Sequence, residues 1–131
     1  MLYLDSSAIV KLVSREPETD GLVQLIEDDP ATITSGLSFV EVVRAVRRVR
    51  GDVQRAEAVL GGIALVPIDA GIIRSAAELS PPTLRSLDAI HLATALSLTG
   101  DASRLVTYDT RLAEAARSMK VLVSSPGAEG V

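Results

Sequence analysis

The chain has 131 residues, a formal net charge of −4 at pH 7 and no cysteine, and 47% of its residues are hydrophobic. This length and composition fit one folded domain with its own core and exclude an intrinsically disordered chain, while the lack of cysteine excludes disulfides and thiolate metal ligands. There is no apolar run of about 18 residues and no secretory signal, so we expect a cytoplasmic protein without a membrane span.

The first half of the sequence alternates short apolar runs with stretches of helical spacing. Short apolar runs bounded by polar or turn residues are typical of strands, and apolar residues three or four apart are typical of helices. In the longest helix we expect the buried stripe to be Leu37, Val40, Val43, Val46 and Val49. The predicted elements are a strand at 2–4, helices at 8–13 and 17–28, a strand at 31–34, and helices at 37–49 and 53–60.

The second half continues this alternation. Asp69 is predicted to be the N-cap of a helix, and the prolines at 81 and 82 mark a loop. The segment 124–131 is small and contains glycine, so it is predicted to be a flexible C-terminal tail. The predicted elements are a strand at 63–68, helices at 69–79 and 87–96, the latter stopping near Gly100, a strand at 105–107, a helix at 109–118 and a strand at 121–123.

The alternation of strands and helices predicts an α/β domain built on a parallel sheet. The strands are short and apolar without alternation, which is typical of parallel strands that are covered on both faces. We therefore predict a single domain over residues 1–123, with a short central sheet of four or five parallel strands and helices on both faces.

Residues 87–96 have Leu, Ile or Ala on almost every side of the predicted helix. This pattern indicates a helix that is buried all round rather than an amphipathic one. Asp88 lies at its start, and a carboxylate beside a buried helix is costly unless it is capped, paired or bound to a cation. The question is therefore which other groups meet Asp88.

Three other acids are candidates to meet Asp88 at one edge of the sheet. Asp5 and Asp109 each follow a predicted strand, and ligands of open α/β sheets bind beyond the carboxyl ends of the strands. Glu41 lies inside a predicted helix. Clustered carboxylates must hold protons or cations, and sets of oxygen ligands suit Mg²⁺ or Mn²⁺. Two such ions about 3.5–4 Å apart would clamp a scissile phosphate and activate a water molecule.

Each of these acids also has a purely structural explanation. Asp5, Asp88 and Asp109 each begin a helix, and Asp is a favoured N-cap worth typically ~1 kcal/mol. Asp69 has the same strand-to-helix position and is interpreted as a plain cap. Capping does not explain Glu41, but an exposed glutamate could pair with the arginines at 44 or 48 on the next turns. The spacing leaves both explanations open.

Three further polar residues could support such a site. His91 follows Asp88 by one turn, and we interpret it as a hydrogen-bonded core residue, or one that orients a ligand, in preference to a ligand itself. Ser7 and Thr107 are candidates to orient Asp5 and Asp109 through their hydroxyl groups, although turn chemistry also explains both.

The only basic cluster of the sequence is made of arginines. Arginine is well suited to binding phosphate, although a solvated helix face explains the cluster equally well. The net charge argues against binding nucleic acid by bulk charge alone, and aromatic residues at 2% argue against base stacking as a main source of affinity. The candidates for RNA contact are Arg44, Arg47 and Arg48, and the cluster also includes Arg50 and Arg55.

Four stretches of the sequence stand out together: LYLDSSA at 2–8, SFVEV at 38–42, LRSLDAIHLA at 84–93 and LVTYDTRL at 105–112. They span almost the whole chain, and any one of them alone would be a weak signal. Taken together, they resemble the PIN-domain ribonucleases, specifically the VapC toxins of VapBC toxin–antitoxin pairs.

The resemblance implies a PIN-like fold and a metal-dependent endoribonuclease that cleaves tRNA or rRNA as the toxin of a type II toxin–antitoxin pair. It implies that Asp5, Glu41, Asp88 and Asp109 form an acidic quartet that binds Mg²⁺ or Mn²⁺. It also implies a homodimer and a small VapB-like antitoxin, which would lay a segment along the toxin and obstruct the acidic pocket.

Three other functions fit parts of the pattern. An aspartyl phosphotransferase with Asp5 as nucleophile usually has a second acid two residues later, where this chain has Ser7. A phosphoacceptor receiver domain would have an acidic pair after the first strand and a lysine near the last strands, and residues 106–108 offer none. A catalytically silent PIN-like interaction module is the remaining alternative, and the four acids argue against it.

Overall fold

The computed structural model describes residues 1–98 and 103–128. In chain order the elements are β1 (Leu2–Leu4), α1 (Ser6–Val13), α2 (Thr19–Asp28), β2 (Thr32–Ser35), α3 (Gly36–Arg48), α4 (Val53–Gly61), β3 (Ala64–Val66), α5 (Ala70–Glu78), α6 (Ser86–Ser97), β4 (Arg104–Val106), α7 (Thr110–Ser118) and β5 (Val123–Ser124). The strands form one parallel sheet in the order β3-β2-β1-β4-β5, so β1 lies at its centre. The predicted parallel α/β architecture is confirmed.

The two faces of the sheet are covered by different helices. Successive residues of a strand point to opposite faces, and the residues of β1 divide in this way. Leu2 and Leu4 pack with residues of α1, α2, α3 and α4, whereas Tyr3 packs with residues of α6 and α7. All three residues of β1 are buried, because both faces of the strand are covered. This explains why the strand is apolar without alternation.

The carboxyl ends of the strands lie along one edge of the sheet because the strands are parallel. β1 passes into α1 at Asp5, and β2 passes into α3 at Ser35, whose hydroxyl accepts a hydrogen bond from the Leu37 amide at 3.1 Å. β4 passes into α7 through Thr107 and Asp109. The edge therefore collects three helix starts with polar side chains.

The buried side of α3 differs from the predicted stripe. Ser38, Val42 and Val46 are its buried residues, whereas Val40 and Val49 are 53% and 72% exposed. The buried residues follow an i, i+4, i+8 row that begins with a serine. The predicted stripe is therefore right at Val46, and at Val43, which packs against the core, and wrong at Val40 and Val49, because selection by apolarity alone passed over the buried serine.

The prediction that the 87–96 helix is buried all round is wrong for its first turn. Leu87 is 48% exposed, whereas Leu92 and Ala93 in the middle of α6 are buried. α6 ends at Ser97, and the predicted stop near Gly100 lies outside the described residues. Within residues 1–98 and 103–128, no helix is long and apolar enough to span a lipid bilayer.

Part of the segment predicted as a tail packs on the domain. Ser124 belongs to β5, the Ser125 hydroxyl donates to the Thr107 carbonyl at 2.6 Å, and the Tyr108 hydroxyl donates to the Pro126 carbonyl at 2.7 Å. The ordered domain therefore continues beyond the predicted boundary at residue 123. Residues 129–131 lie outside the described residues, and the mobility of the tail stays a prediction.

Candidate active site

Asp5 is a buried carboxylate at the carboxyl end of the central strand. It is 3% exposed and is the N-cap of α1, where its Oδ1 accepts from the Ala8 amide at 3.0 Å and from the Ser7 hydroxyl at 2.6 Å. Its Oδ2 accepts from the Thr107 hydroxyl at 2.5 Å. Burial raises the pKa of Asp5, and the hydrogen bonds from Ser7 and Thr107 oppose this rise.

Burial separates Asp5 from Asp69, although both residues are N-caps. Asp69 accepts from the Ile72 amide at 2.9 Å, so its local geometry is that of Asp5, but its side chain is exposed. A cap needs no burial, and an ionised carboxylate in the interior carries a desolvation cost that capping alone does not explain. The role of Asp5 as the N-cap of α1 therefore does not explain its burial.

The hydroxyl group of Thr107 links the Asp5 carboxylate to the backbone amide of Asp109. The Thr107 hydroxyl that donates to Asp5 also accepts from the Asp109 amide at 3.0 Å. Asp109 is the N-cap of α7, and its Oδ1 accepts from the amides of Arg111 and Leu112 at 2.9 and 3.2 Å. Thr107 thus orients the first acid and the backbone of the second.

Asp88 lies in the first turn of α6 and is not a cap, because the N-cap position is Arg85. Burial raises the pKa of Asp88, the charge of Asp109 and a hydrogen bond with that residue add to the rise, His91 opposes it, and the resulting pKa is about 6. Asp5 contributes to the same rise. The structure therefore brings Asp5, Asp88 and Asp109 into one electrostatic group.

Glu41 enters this region from α3 and is hydrogen-bonded to His91 of α6. The distance from His91 Nε2 to Glu41 Oε1 is 2.7 Å, and His91 Nδ1 lies 2.8 Å from the Tyr3 hydroxyl. His91 is 2% exposed, while the Glu41 side chain is 22% exposed. Among the described residues, Glu41 therefore pairs with His91 of α6 and not with an arginine of its own helix.

Tyr3 is the residue near the site that the sequence analysis missed. A buried tyrosine hydroxyl usually finds a hydrogen-bond partner, and the only tyrosine in a predicted strand comes two residues before Asp5. That combination was the available signal. The partner could not be predicted, because His91 is 88 residues away in the sequence.

The arginines of α3 line a cavity of about 330 Å³, and its lining residues are Arg44, Arg47 and Arg48. Within the described part of the chain, none of the three forms an ion pair with a carboxylate. A neighbouring cavity of about 500 Å³ is lined by Ser7 and Glu41 as well as by Arg44 and Arg48. Arg44 and Arg48 line both cavities, so positively charged side chains extend from Glu41 along α3.

Arg55 does not belong with these arginines. Its guanidinium group donates to the carbonyls of Val13 and Leu12 at 2.9 and 3.1 Å. These are carbonyls from the last turn of α1, which have no partner within the helix. Arg55 therefore stabilises a helix end.

The donor chemistry of the acidic group fits a divalent cation. The acids offer carboxylate oxygens, which Mg²⁺ and Mn²⁺ prefer, and the raised pKa of Asp88 reflects burial and repulsion that a nearby cation would relieve. Among residues 1–98 and 103–128, no three His, Asp or Glu side chains are already arranged as the ligands of one ion. The acids are near one another without forming a closed coordination sphere.

Comparison with known proteins identifies a family and relatives that match almost the whole chain. Residues 2–118 match the PIN domain family. Ribonuclease VapC35 of Mycobacterium tuberculosis is 44% identical over 132 residues, which cover 97% of this chain and 98% of that protein.

Two solved structures share the fold. A toxin–antitoxin complex from Klebsiella pneumoniae matches with a TM-score of 0.74 and 22% identity, over 96% of this chain and 98% of that chain. The sarcin–ricin loop cleaving toxin VapC20 of Mycobacterium tuberculosis matches with a TM-score of 0.68 and 14% identity, over 88% of this chain and 95% of that chain. At these identities the structural likeness extends to the fold alone.

Proposed function

The chain belongs to the PIN-domain family and to its VapC ribonucleases, and from this premise we propose that it is an endoribonuclease that hydrolyses RNA with the help of Mg²⁺ or Mn²⁺. The observation that carries the proposal is the position of Asp88 at the carboxyl edge of the sheet, where burial and the charges of Asp109 and Asp5 raise its pKa. A partly buried carboxylate that lies close to the charges of two others is arranged for a cation rather than for the fold.

Each acid has its own role in this proposal. Asp5 is the fixed anchor, because three hydrogen bonds hold both of its oxygens. Asp88 and Asp109 supply charge from α6 and α7, and Glu41 supplies it from α3. A bound Mg²⁺ or Mn²⁺ would stabilise charge on the scissile phosphate and supply a nucleophilic water. The chain needs no histidine or cysteine nucleophile for such a reaction.

The substrate we propose is tRNA or rRNA, held mainly through its phosphates. Glu41, Arg44 and Arg48 follow one another at i, i+3 and i+7, so they share one side of α3. A strand cleaved near Glu41 would lay its neighbouring phosphates over the two arginines. VapC20, which shares the fold, is named as a toxin that cleaves the sarcin–ricin loop. This name supports rRNA as one candidate substrate.

If α3 holds RNA phosphates, replacing Arg44 and Arg48 by Gln should weaken RNA binding and flatten its salt dependence. Each phosphate contact on a single strand contributes about 0.7 to the slope of log K against log salt, so the double variant should lose a slope of about 1.4. Fluorescence anisotropy at several salt concentrations, in an Asp5→Asn background that does not cleave, measures this slope.

Arg74→Gln is the matched control for these arginines. Arg74 lies on α5, is 81% exposed and pairs with Glu78, so its replacement should leave the slope unchanged. An unchanged slope in the Arg44 and Arg48 variant would show that this side of α3 is only a solvated surface.

The test of the proposed function is metal-dependent cleavage by the purified protein. We expect tRNA or rRNA to be cut with Mg²⁺ or Mn²⁺ and to stay intact with EDTA, and calorimetry should show Mn²⁺ binding that is weaker by at least about tenfold in Asp88→Asn. Cleavage that continues in EDTA would contradict metal dependence. A protein that binds no Mn²⁺ with or without RNA, and cleaves nothing, would be the interaction module instead.

The same proposal includes protein partners. A VapB-like antitoxin would bind over the acidic site, where the exposed side chains of Phe39, Val40 and Leu87 offer apolar contacts beside the arginines. The likeness to the Klebsiella toxin–antitoxin complex supports such a partner. A homodimer and a cytoplasmic location, where cellular RNA is found, complete the proposal.

A further inference from the structure

Glu41 is the acid whose placement the fold explains least. It lies in the middle of α3, it is not a cap, and its side chain is partly exposed. A glutamate side chain in such a position has several rotamers, and fixing it costs conformational entropy. A metal ligand needs a fixed orientation, which groups that hydrogen-bond the ligand usually supply.

The hydrogen bond from His91 supplies a contact across the two helical layers. α3 packs on the face of the sheet that carries Leu2 and Leu4, and α6 packs on the face that carries Tyr3. The 2.7 Å contact between His91 and Glu41 therefore bridges the two layers at the site. His91 is buried and its own position is set by α6, so it is the rigid member of the pair.

The chemistry of the three groups fixes the direction of the hydrogen bonds. A carboxylate only accepts, so His91 must carry a proton on Nε2 to bond Glu41. A neutral imidazole then has Nδ1 free as an acceptor for the Tyr3 hydroxyl at 2.8 Å. A tyrosine hydroxyl can donate as well as accept, so the Tyr3 hydroxyl is the donor in this contact.

We propose that Tyr3 and His91 are positioning residues for Glu41: Nε2–H of His91 holds Oε1 of Glu41, and the Tyr3 hydroxyl, by donating to Nδ1, holds the imidazole ring in the orientation that this contact needs. This inference rests on the proposed nuclease function for its catalytic consequence. Oε1 is held by the imidazole, and Oε2 is left for a cation or water. Tyr3 touches neither substrate nor metal and acts only through the imidazole.

The single histidine of the chain makes this arrangement directly observable. Selective ¹⁵N labelling of histidine gives the spectrum of His91 alone, because the sequence contains no other histidine. In the metal-free protein above neutral pH we expect one tautomer, with the proton on Nε2. Tyr3→Phe keeps the ring and removes the donor to Nδ1, so the Nδ1 resonance should move to that of an imidazole nitrogen without a hydrogen bond, while Glu41 keeps the proton on Nε2. An unchanged spectrum would overturn the proposal.

Kinetics test whether the arrangement matters for the reaction. Replacing a residue that orients a metal ligand costs about 10–100-fold in affinity or activity, so Tyr3→Phe should lower kcat for RNA cleavage by at least about tenfold and weaken Mn²⁺ binding to a similar degree, with KM for RNA changed less than about twofold. A Tyr3→Phe variant whose Nδ1 resonance has moved but which keeps the parental kcat and Mn²⁺ affinity would overturn the positioning role.

Two further variants serve as a control and as an alternative to Tyr3→Phe. Tyr108→Phe is the matched control, because it is the other tyrosine of the chain and its hydroxyl donates to the Pro126 carbonyl; its His91 spectrum should match that of the parent. Glu41→Gln, on the partly exposed α3, serves if Tyr3→Phe does not fold. An amide can accept or donate, so Nε2 no longer has to carry the proton, this variant should mix the tautomers, and a parental spectrum would contradict the proposal.

The spectra also separate this inference from the proposed function. A parent protein with the single Nε2–H tautomer that cleaves no RNA contradicts the nuclease and leaves the hydrogen-bonded chain intact. A parent that cleaves RNA with His91 in mixed tautomers contradicts the inference and leaves the nuclease intact.

Discussion

Asp5→Asn is expected to abolish RNA cleavage and to raise the melting temperature of the metal-free protein at pH 7. The substitution keeps the size of the side chain and removes the charge that would hold a cation. Metal stabilisation of a reacting phosphate is worth several kcal/mol, so cleavage should fall by roughly a thousandfold or more. An RNA cleavage assay with saturating Mg²⁺ or Mn²⁺ measures this loss.

The rise in stability follows from the buried position of Asp5. Its pKa in the folded protein lies above the ordinary value of 3.8 because of burial. The stabilising contribution of the protonated carboxyl is therefore fully present below about pH 3.8 and is lost as the pH rises through the folded-state pKa. The amide has no such loss, and it can still accept from Ser7 and from the Ala8 amide. Thermal unfolding in EDTA should give a melting temperature above that of the parent at pH 7, and the difference should close towards about pH 4.

Asp69→Asn is the matched control because Asp69 occupies the same strand-to-helix position on the surface. It should change neither the cleavage rate nor the pH dependence of unfolding. Cleavage at the parental rate by Asp5→Asn would remove Asp5 from the site. A melting temperature that falls at pH 7 would mean that the hydrogen bond from Thr107 outweighs the desolvation of the carboxylate.

The comparison of Asp5 with Asp69 shows what the sequence could not decide. Both follow a strand and cap a helix through the same local hydrogen bond, so local spacing gives them the same interpretation. They differ in burial, and Asp5 is buried beside Thr107, which lies 102 residues later in the chain. Non-local packing of this kind is invisible to spacing, and the resemblance to a family supplied what spacing did not.

The fold was predictable where the periodicity was strong. The alternation of strands and helices is a repeated local pattern, and the parallel sheet follows from it. The face of each helix was less predictable, because a row such as that of α3 can include a buried serine. The end of the domain was missed for a similar reason: Ser125 and Pro126 look like tail residues, but their partners Thr107 and Tyr108 lie on another element.

A substitution on the buried side of α6 is expected to have the second large effect, a loss of stability. Leu92 is fully buried with Tyr3, Leu105 and Leu112 on the face of the sheet opposite α3. Truncating a buried leucine to alanine costs about 2–5 kcal/mol, since it removes apolar contacts and leaves a cavity. Leu92→Ala should therefore lower the melting temperature by roughly 10 °C in a chain of this size, as measured by thermal unfolding or by urea titration.

Leu87→Ala on the same helix is the matched control and separates two descriptions of α6. Leu87 is 48% exposed, and exposed substitutions usually change stability by less than about 0.5 kcal/mol, so its melting temperature should stay within about 2 °C of the parent. Equal losses of stability in Leu87→Ala and Leu92→Ala would show that α6 is buried all round.

Leu92 contacts none of the acids by hydrogen bond or charge, so below its melting transition Leu92→Ala should still cleave RNA. Asp5→Asn should show the reverse, a stable protein without activity, because the residues that hold α6 in place are different from those that hold the charge.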